Sequence, residues 1–158
     1  MAAKFALTDL CEVSGQYFFL IYGEKSNGNA RATMEFRIVR DLASDTDLLT
    51  GYTQAIARWH EVGISDNLPW DEKLLASRLS AALGVPVTSP RLDSSARVTI
   101  THEIGNHEIR LTAVRRDDRG REAEQWKACV ADDQPAVLAA TIRKAAAYAA
   151  TLEGTPFE

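Results

Sequence analysis

The chain has 158 residues, of which 46% are hydrophobic and 25% charged, and this is the composition of a globular protein that can bury a core of its own. Its formal net charge of −4 argues against binding to a nucleic-acid backbone as the main activity. The N-terminus lacks the composition of a signal peptide and no apolar run approaches the roughly 20 residues of a membrane span, so the sequence predicts a cytoplasmic protein with no membrane partner.

The first predicted element is a β-hairpin in "QYFFLIYGEKSNGNARATMEFRIVRD". Asn27 and Gly28 favour a two-residue turn, because both central positions of a type I′ turn need a positive φ. This turn places Glu24 opposite Arg31 and sets the register of both strands. One face then carries three apolar pairs, Ile21 with Met34, Phe19 with Phe36 and Tyr17 with Ile38. The other face carries Phe18, Leu20 and Tyr22 opposite Arg37, Glu35 and Thr33.

The first strand of this hairpin is therefore apolar on both faces, whereas the second strand alternates. One apolar face is enough for the core of a small domain, so the second row needs a cover. Three candidates could cover it: the helix predicted at 46–62, a second copy of the chain, or a partner. Aromatic side chains framed by charges are typical of an interface, so the row and its rim are a candidate partner-binding surface. Its members are Phe18, Leu20, Tyr22, Glu35 and Arg37.

The spacing of apolar residues, together with residues that favour helix starts and ends, predicts three helices. The helix at 46–62 has N-cap candidates that include Ser44, and Gly63 is a plausible end. "WDEKLLASRLSAALG" predicts a second helix that stops at Gly84, and "QPAVLAATIRKAAAYAATLEG" predicts a third with Pro135 in its first turn. Three strands are predicted between the last two helices, in "RVTITHEI", "HEIRLTAVR" and "EQWKACVA".

Two histidines lie in "THEIGNHEIR", each followed by a glutamate. A turn at residues 105 and 106 pairs His102 with Ile109 and puts both histidines on the apolar face. Glu103 and Glu108 then lie opposite each other on the other face, where they are further candidates for partner binding. A metal would need a third ligand besides His102 and His107, and no neighbouring residue supplies one. We therefore expect no metal, no cofactor and no catalytic residue, with a metal-dependent enzyme at the two histidines as an alternative.

The order helix, three strands, helix over residues 71–154 is that of double-stranded-RNA-binding domains. Those domains place lysines at the start of the last helix, where this chain has Asp132 and Asp133, which have the wrong sign for phosphate binding. Nucleic acid is therefore an unexpected partner. The alternative, a nucleic-acid-binding accessory protein, would use the basic residues between the last two strands, Arg115, Arg116, Arg119 and Arg121.

Residues 71–154 also resemble phage ABA-sandwich domains, the helix–sheet–helix domains of uncharacterised phage and prophage proteins. The similar segments are the helix end "LSAALG", the strand "QWKA" and the helix segment "IRKAA", in a region that covers half of the chain. The resemblance implies a mobile-element origin.

The predicted fold is α+β. An N-terminal antiparallel β-hairpin plus helix at 1–64 is followed at 65–158 by a helix, a three-stranded antiparallel sheet and a helix, packed as one globule. The predicted function is that of a small acidic cytoplasmic binding protein that acts on another protein or protein complex by occluding it. Phage anti-defence proteins and immunity-type inhibitors act in this way. A homodimer is a further alternative for the partner.

Overall fold

The computed structural model describes residues 5–89, 96–114 and 126–152. Six strands form one antiparallel sheet in the order β3-β2-β1-β4-β5-β6. The strands are β1 Phe5–Val13, β2 Gln16–Glu24, β3 Ala30–Val39, β4 Arg97–Glu103, β5 Glu108–Val114 and β6 Trp126–Ala131. The described helices are α1 Asp45–Val62, α2 Glu72–Leu83 and α3 Pro135–Leu152. Within these ranges no helix combines the length and the apolar character that a membrane crossing requires.

The α+β class is confirmed, but the sheet has six strands and not three, because the strands of the N-terminal hairpin belong to the same sheet. The strand that joins the hairpin to the other strands is β1, which sequence reasoning missed. It lies at the centre of the sheet and pairs with β2 on one side and with β4 on the other. Its sequence, "FALTDLCEV", hides this position because the buried polar residues Thr8, Asp9 and Glu12 interrupt the apolar pattern of a central strand.

The two halves of the chain have the same plan, three antiparallel strands followed by a helix. Helices α1 and α3 lie on the same face of the sheet and bury the larger core, which includes Leu10, Phe19, Ile21, Ile100, Leu111 and Ile142. Close packing of α1 on β2 is visible at Gly51, where an added Cβ would lie 3.0 Å from two carbons of the Phe19 ring. A β-carbon there would require the buried Phe19 ring to shift by a few tenths of an ångström, so glycine allows the close contact between helix and sheet.

Helix α2 packs on the opposite face and covers only the half of the sheet formed by β1, β2 and β3. Its apolar residues Leu75, Leu79 and Leu83 form a second core with side chains of those strands, among them Cys11, Val13, Phe18 and Leu20. Asp71 caps its start by accepting a hydrogen bond from Leu74 N at 3.1 Å, and Gly84 ends it in the left-handed conformation. The predicted end at Gly84 is confirmed.

The segment 63–71, here called the strap, crosses the end of the sheet because α1 and α2 lie on opposite faces. Ser65 N donates to Glu24 O at 2.9 Å, and the carboxylate of Asp66 accepts from the backbone and hydroxyl of Ser26. On the far side Asp71 N lies 3.3 Å from the Met34 sulfur. The strap is thus fixed to the β2–β3 hairpin along its length.

The predicted register of the β2–β3 hairpin is wrong by one residue. The turn is longer than two residues, because Lys25 N donates to Asn29 O at 2.8 Å and Gly28 N donates to Lys25 O at 2.9 Å. Next to the turn Glu24 pairs with Ala30. A bulge between Leu20 and Tyr22 then shifts the register the other way, so that Phe18 pairs with Ile38 and Leu20 with Phe36. A shift by one residue exchanges the two faces of a strand, so the aromatic and aliphatic residues of β3 lie under α2 and its charged residues face the other way.

Candidate functional site

Phe18 and Leu20 are core residues rather than a partner-binding surface. Their side chains are 0% and 3% exposed, and both pack against α2. The cover is thus a helix of the same chain, although it is α2 and not the helix predicted at 46–62. The one-residue register shift explains the difference, because Ile38 and Phe36 join Phe18 and Leu20 on one apolar face that α2 covers.

Tyr22, the third member of that row, belongs to a half-buried polar cluster around the buried Asp9. Its hydroxyl donates to Asp9 Oδ2 at 2.5 Å, and Thr99 Oγ1 donates to Asp9 Oδ1 at 2.7 Å. Arg97 Nη1 lies 3.5 Å from Asp9 Oδ2, so the carboxylate is paired as well as hydrogen-bonded. Burial raises the pKa of Tyr22, and the neighbouring Asp9 carboxylate raises it further. The cluster joins the three strands at the centre of the sheet, β2, β1 and β4.

Glu35 and Arg37 lie on the face of the sheet opposite to Phe18 and Leu20. Glu35 accepts hydrogen bonds from Nε and Nη2 of Arg58 on α1, at 3.0–3.1 Å. Arg37 Nη1 donates to the Phe36 carbonyl at 3.0 Å. Both residues line a shallow groove between β3 and α1, together with Gln54 and Glu61. The prediction that they form a rim around the aromatic row is therefore wrong. They are part of the contact between α1 and the sheet.

Glu103 and Glu108 do lie opposite each other, and the predicted register of the β4–β5 hairpin is confirmed. His102 pairs with Ile109 and Glu103 with Glu108. One Glu103 oxygen forms an ion pair with Arg110 Nε at 3.1 Å, and the other accepts a hydrogen bond from Asn106 Nδ2 at 3.1 Å. This arrangement offsets the repulsion between the two carboxylates.

These glutamates belong to the half of the sheet that α2 leaves uncovered. The outward side of β4, β5 and β6 beside α2 is here called the open half-face, and no described helix lies over it. Arg110, Lys127 and Cys129 are exposed on it, with Arg110 opposite Cys129 and Thr112 opposite Lys127 in the β5–β6 pairing. Its members are Thr99, Thr101, Glu103, Glu108, Arg110, Thr112, Lys127 and Cys129.

The two histidines meet at a carboxylate that sequence reasoning did not connect with them. His102 Nε2 lies 3.0 Å from Asp132 Oδ2, and His107 Nδ1 lies 3.5 Å from the same oxygen. Asp132 N also donates to His107 O at 2.9 Å. Asp132 follows the end of β6, which pairs with the start of β5 and therefore lies beside the β4–β5 turn. The local sequence around the histidines contains no signal for this contact.

The electrostatics of this cluster follow from its hydrogen bonds. The hydrogen bond from His102 holds the pKa of Asp132 below its usual value, and His107 adds to the effect. Burial raises the pKa of Tyr52 on α1, and the charge of Asp132 raises it further. In the described part of the chain, histidine, cysteine, aspartate and glutamate form no group of three or more that could hold a metal ion. The cluster is arranged to link β4 and the β4–β5 turn to the start of α3.

Arg115, Arg116, Arg119 and Arg121, the candidates for nucleic-acid binding, lie outside the described residues. Three large apolar side chains are exposed around the strap, Ile64, Trp70 and Leu74.

Comparison with known proteins adds information on the fold. No protein-family model matches the chain, and no curated protein matches it significantly. Among solved structures, a protein of unknown function from Neisseria meningitidis is similar, with a TM-score of 0.67 and 11% sequence identity. The similarity covers 94% of this chain and 98% of that one. At this identity the similarity shows a shared fold alone.

Proposed function

We propose that this chain is a small acidic binding protein that inhibits a partner protein or protein complex by occluding it. It would be encoded by a phage or another mobile element and act in the cytoplasm, as an anti-defence or immunity-type inhibitor. The mobile-element origin rests on the resemblance of residues 71–154 to phage ABA-sandwich domains. The mode of action rests on the surface described above.

The observation that carries the proposal is the open half-face. Antiparallel sheets often have one face in water, so exposure alone does not define an interface. Here, however, the same side of one sheet is covered by a helix over half its width, and over the other half no helix of the described residues covers it. The uncovered half presents an ordered set of charges, because Arg110 and Asn106 hold the Glu103 side chain in place. A surface fixed on strands loses little conformational freedom when a partner binds, and fixed charges give specificity.

The alternatives have less support. Nucleic-acid binding would depend on arginines outside the described residues, and Arg110, an exposed cation of the open half-face, is paired with Glu103. An enzyme at His102 and His107 would need a third ligand or an acid–base role for Asp132. Both ring nitrogens that approach Asp132 share the one oxygen, which is the geometry of a structural link.

Affinity capture from a lysate of the source cell tests the proposal. The wild-type chain is compared with an Arg110→Glu, Lys127→Glu variant and with an Arg40→Glu, Lys144→Glu control, which makes the same change of charge at exposed positions away from the half-face. We expect a protein captured in equimolar amount whose affinity falls by about tenfold or more in the half-face variant, and not in the control. The purified partner should lose its activity when the wild-type chain is added in equimolar amount.

Three results would count against the proposal. The captured protein could bind both variants equally, which would place the interface elsewhere. It could bind without losing activity, which would remove the inhibitory role. Capture that disappears after nuclease treatment would favour the nucleic-acid alternative.

A further inference from the structure

The two outer strands of the sheet differ in how their outer edges are protected. A bulge interrupts β3, and side chains of this strand bind its own main chain there. Glu35 N donates to Thr33 Oγ1 at 3.0 Å, and Arg37 Nη1 donates to Phe36 O at 3.0 Å. Bulges and charged side chains keep an edge strand from pairing with another chain, so the edge of β3 is closed.

The edge of β6 has no such protection. All six residues of Trp126–Ala131 pair with β5 in one uninterrupted register, and Lys127 is the only charged residue among them. Within the described part of the chain no strand pairs with the other side of β6.

The hydrogen-bond ladder shows which main-chain groups of β6 point outward. Asp132 N donates to His107 O across from it, and hydrogen-bonded pairs alternate along an antiparallel ladder. The even-numbered residues of β6 therefore bond to β5. Lys127 and Cys129 direct their N–H and C=O groups away from β5, where they can bond to a further strand.

A second copy of the chain presents the same edge, and one two-fold register fits it. In antiparallel pairing of two β6 strands, Lys127 of one copy faces position 127, 129 or 131 of the other. Two lysines directly opposite each other repel. Pairing with position 131 would use the Ala131 carbonyl, which already accepts a hydrogen bond from Gln134 N. The remaining register places Lys127 opposite Cys129.

The same register brings apolar side chains together on the side of the sheet that carries α1 and α3. Trp126 lies opposite Val130 of the second copy, and Ala128 lies opposite Ala128. In the single chain Trp126 is only half-buried, with its ring centroid 6.5 Å from that of Tyr148 on α3. Pairing would cover this ring further, and pairs of aromatic and β-branched residues across strands stabilise a sheet.

We infer that two copies of this chain pair through β6 into a dimer with one continuous sheet, to which each copy contributes six strands. The two-fold axis is perpendicular to the sheet, so the two open half-faces lie side by side and form one surface. From β4 of one copy to β4 of the other there are five strand spacings, or about 24 Å. Helix α2 of each copy stands at one end of this surface, and a partner would meet a symmetric channel between the two helices.

Sedimentation equilibrium of the full chain tests the dimer. We expect a mass of twice 17.4 kDa at about 100 µM. Cys129→Pro removes an N–H that faces away from β5, so the chain keeps its own ladder while the dimer loses this donor in both copies. The dissociation constant of the dimer should rise by about thirtyfold or more. Cys129→Ser keeps the N–H and should change the constant by less than about twofold.

Oxidation of a Lys127→Cys variant tests the register. Opposite residues of a hydrogen-bonded pair have Cα atoms about 5.5 Å apart, which a disulfide can bridge. We expect a covalent dimer on a non-reducing gel, through disulfides between position 127 of one copy and Cys129 of the other. Thr112→Cys is the matched control, because Thr112 lies beside Lys127 but on β5, one strand away from the second copy. It should give no covalent dimer.

A wild-type chain that is monomeric at about 100 µM overturns the inference. A dimer that Cys129→Pro leaves intact, with no covalent product from Lys127→Cys, also overturns it, because the interface then lies elsewhere. Equal covalent products from both cysteine variants overturn it as well, since they reflect random collision. If thermal melting shows that Cys129→Pro is unfolded, the wild-type mass and the Lys127→Cys product decide. The proposed function does not depend on these results, because each copy has an open half-face of its own.

Discussion

His102 Nε2 lies 3.0 Å from Asp132 Oδ2, so the end of β4 is bound directly to the turn that begins α3. The two residues are 30 positions apart in the sequence. Their contact joins β4, which borders β1 in the sheet, to the start of the helix that covers the second half, at the end of the sheet where Glu103 and the strap also lie.

Acid should weaken the fold through Asp132. Its pKa in the folded chain lies below the ordinary value of 3.8, so its contribution to stability is complete above that value and is lost as the pH falls through the lowered pKa. Urea unfolding between about pH 5 and pH 2 measures this loss. Asp132→Asn should lose less stability than the wild-type chain over this range, and the adjacent Asp133→Asn should follow the wild-type curve. Parallel curves for all three proteins would contradict the role of the contact.

Phe18→Ala should destabilise the chain by about 3–5 kcal/mol, because it leaves a cavity under α2. Leu74→Ala on the exposed side of the same helix is the matched control, with an expected change within about 0.5 kcal/mol. The free energy of unfolding from denaturant titration checks both values. A folded, stable Phe18→Ala protein with weakened partner binding would contradict the core role of Phe18 and support its predicted role in partner binding.

Asp9→Asn should destabilise the sheet by about 3 kcal/mol, because it removes a buried charge from Arg97. Thr99→Val removes one hydrogen bond from the same carboxylate and should cost about 1 kcal/mol. The same titration measures both. Equal effects of the two variants would show that the ion pair with Arg97 contributes little.

Gly51→Ala should be destabilising by about 1–3 kcal/mol, although alanine usually stabilises a helix interior relative to glycine by about 1 kcal/mol. The added methyl would press on the fully buried Phe19 ring. The same change made in a Phe19→Leu background should cost less, and the difference between the two backgrounds measures the contact. An increase in stability on Gly51→Ala would show that the ring has room to move.

The two thiols should react at very different rates. Cys11 is buried and burial raises its pKa to about 12, whereas Cys129 is exposed on the open half-face. Alkylation followed by mass spectrometry should label Cys129 rapidly in the native protein and Cys11 only after denaturation. A bound partner should protect Cys129 if it covers the half-face.

The sequence predicts what depends on neighbours along the chain. The β4–β5 register and the ends of α1 and α2 need only a short turn and capping residues, and these predictions are confirmed. The predicted β2–β3 register is wrong because the turn is longer than two residues and a bulge between Leu20 and Tyr22 shifts the pairing beyond it. The face of α2, the position of β1 and the role of Asp132 depend on pairings between distant strands, which local patterns do not encode.

The central position of β1 has a consequence for synthesis. β1 is made first, but its second edge stays without a partner until β4 follows some 90 residues later, since Asp9 pairs with Thr99. A nascent chain that ends after α2 therefore exposes a nine-residue strand edge, and such edges recruit strands of other molecules. Contacts between such distant residues also slow folding. The growing chain should accordingly depend on chaperones or on rapid translation until β4 has left the ribosome, and fragments that stop before β4 should aggregate.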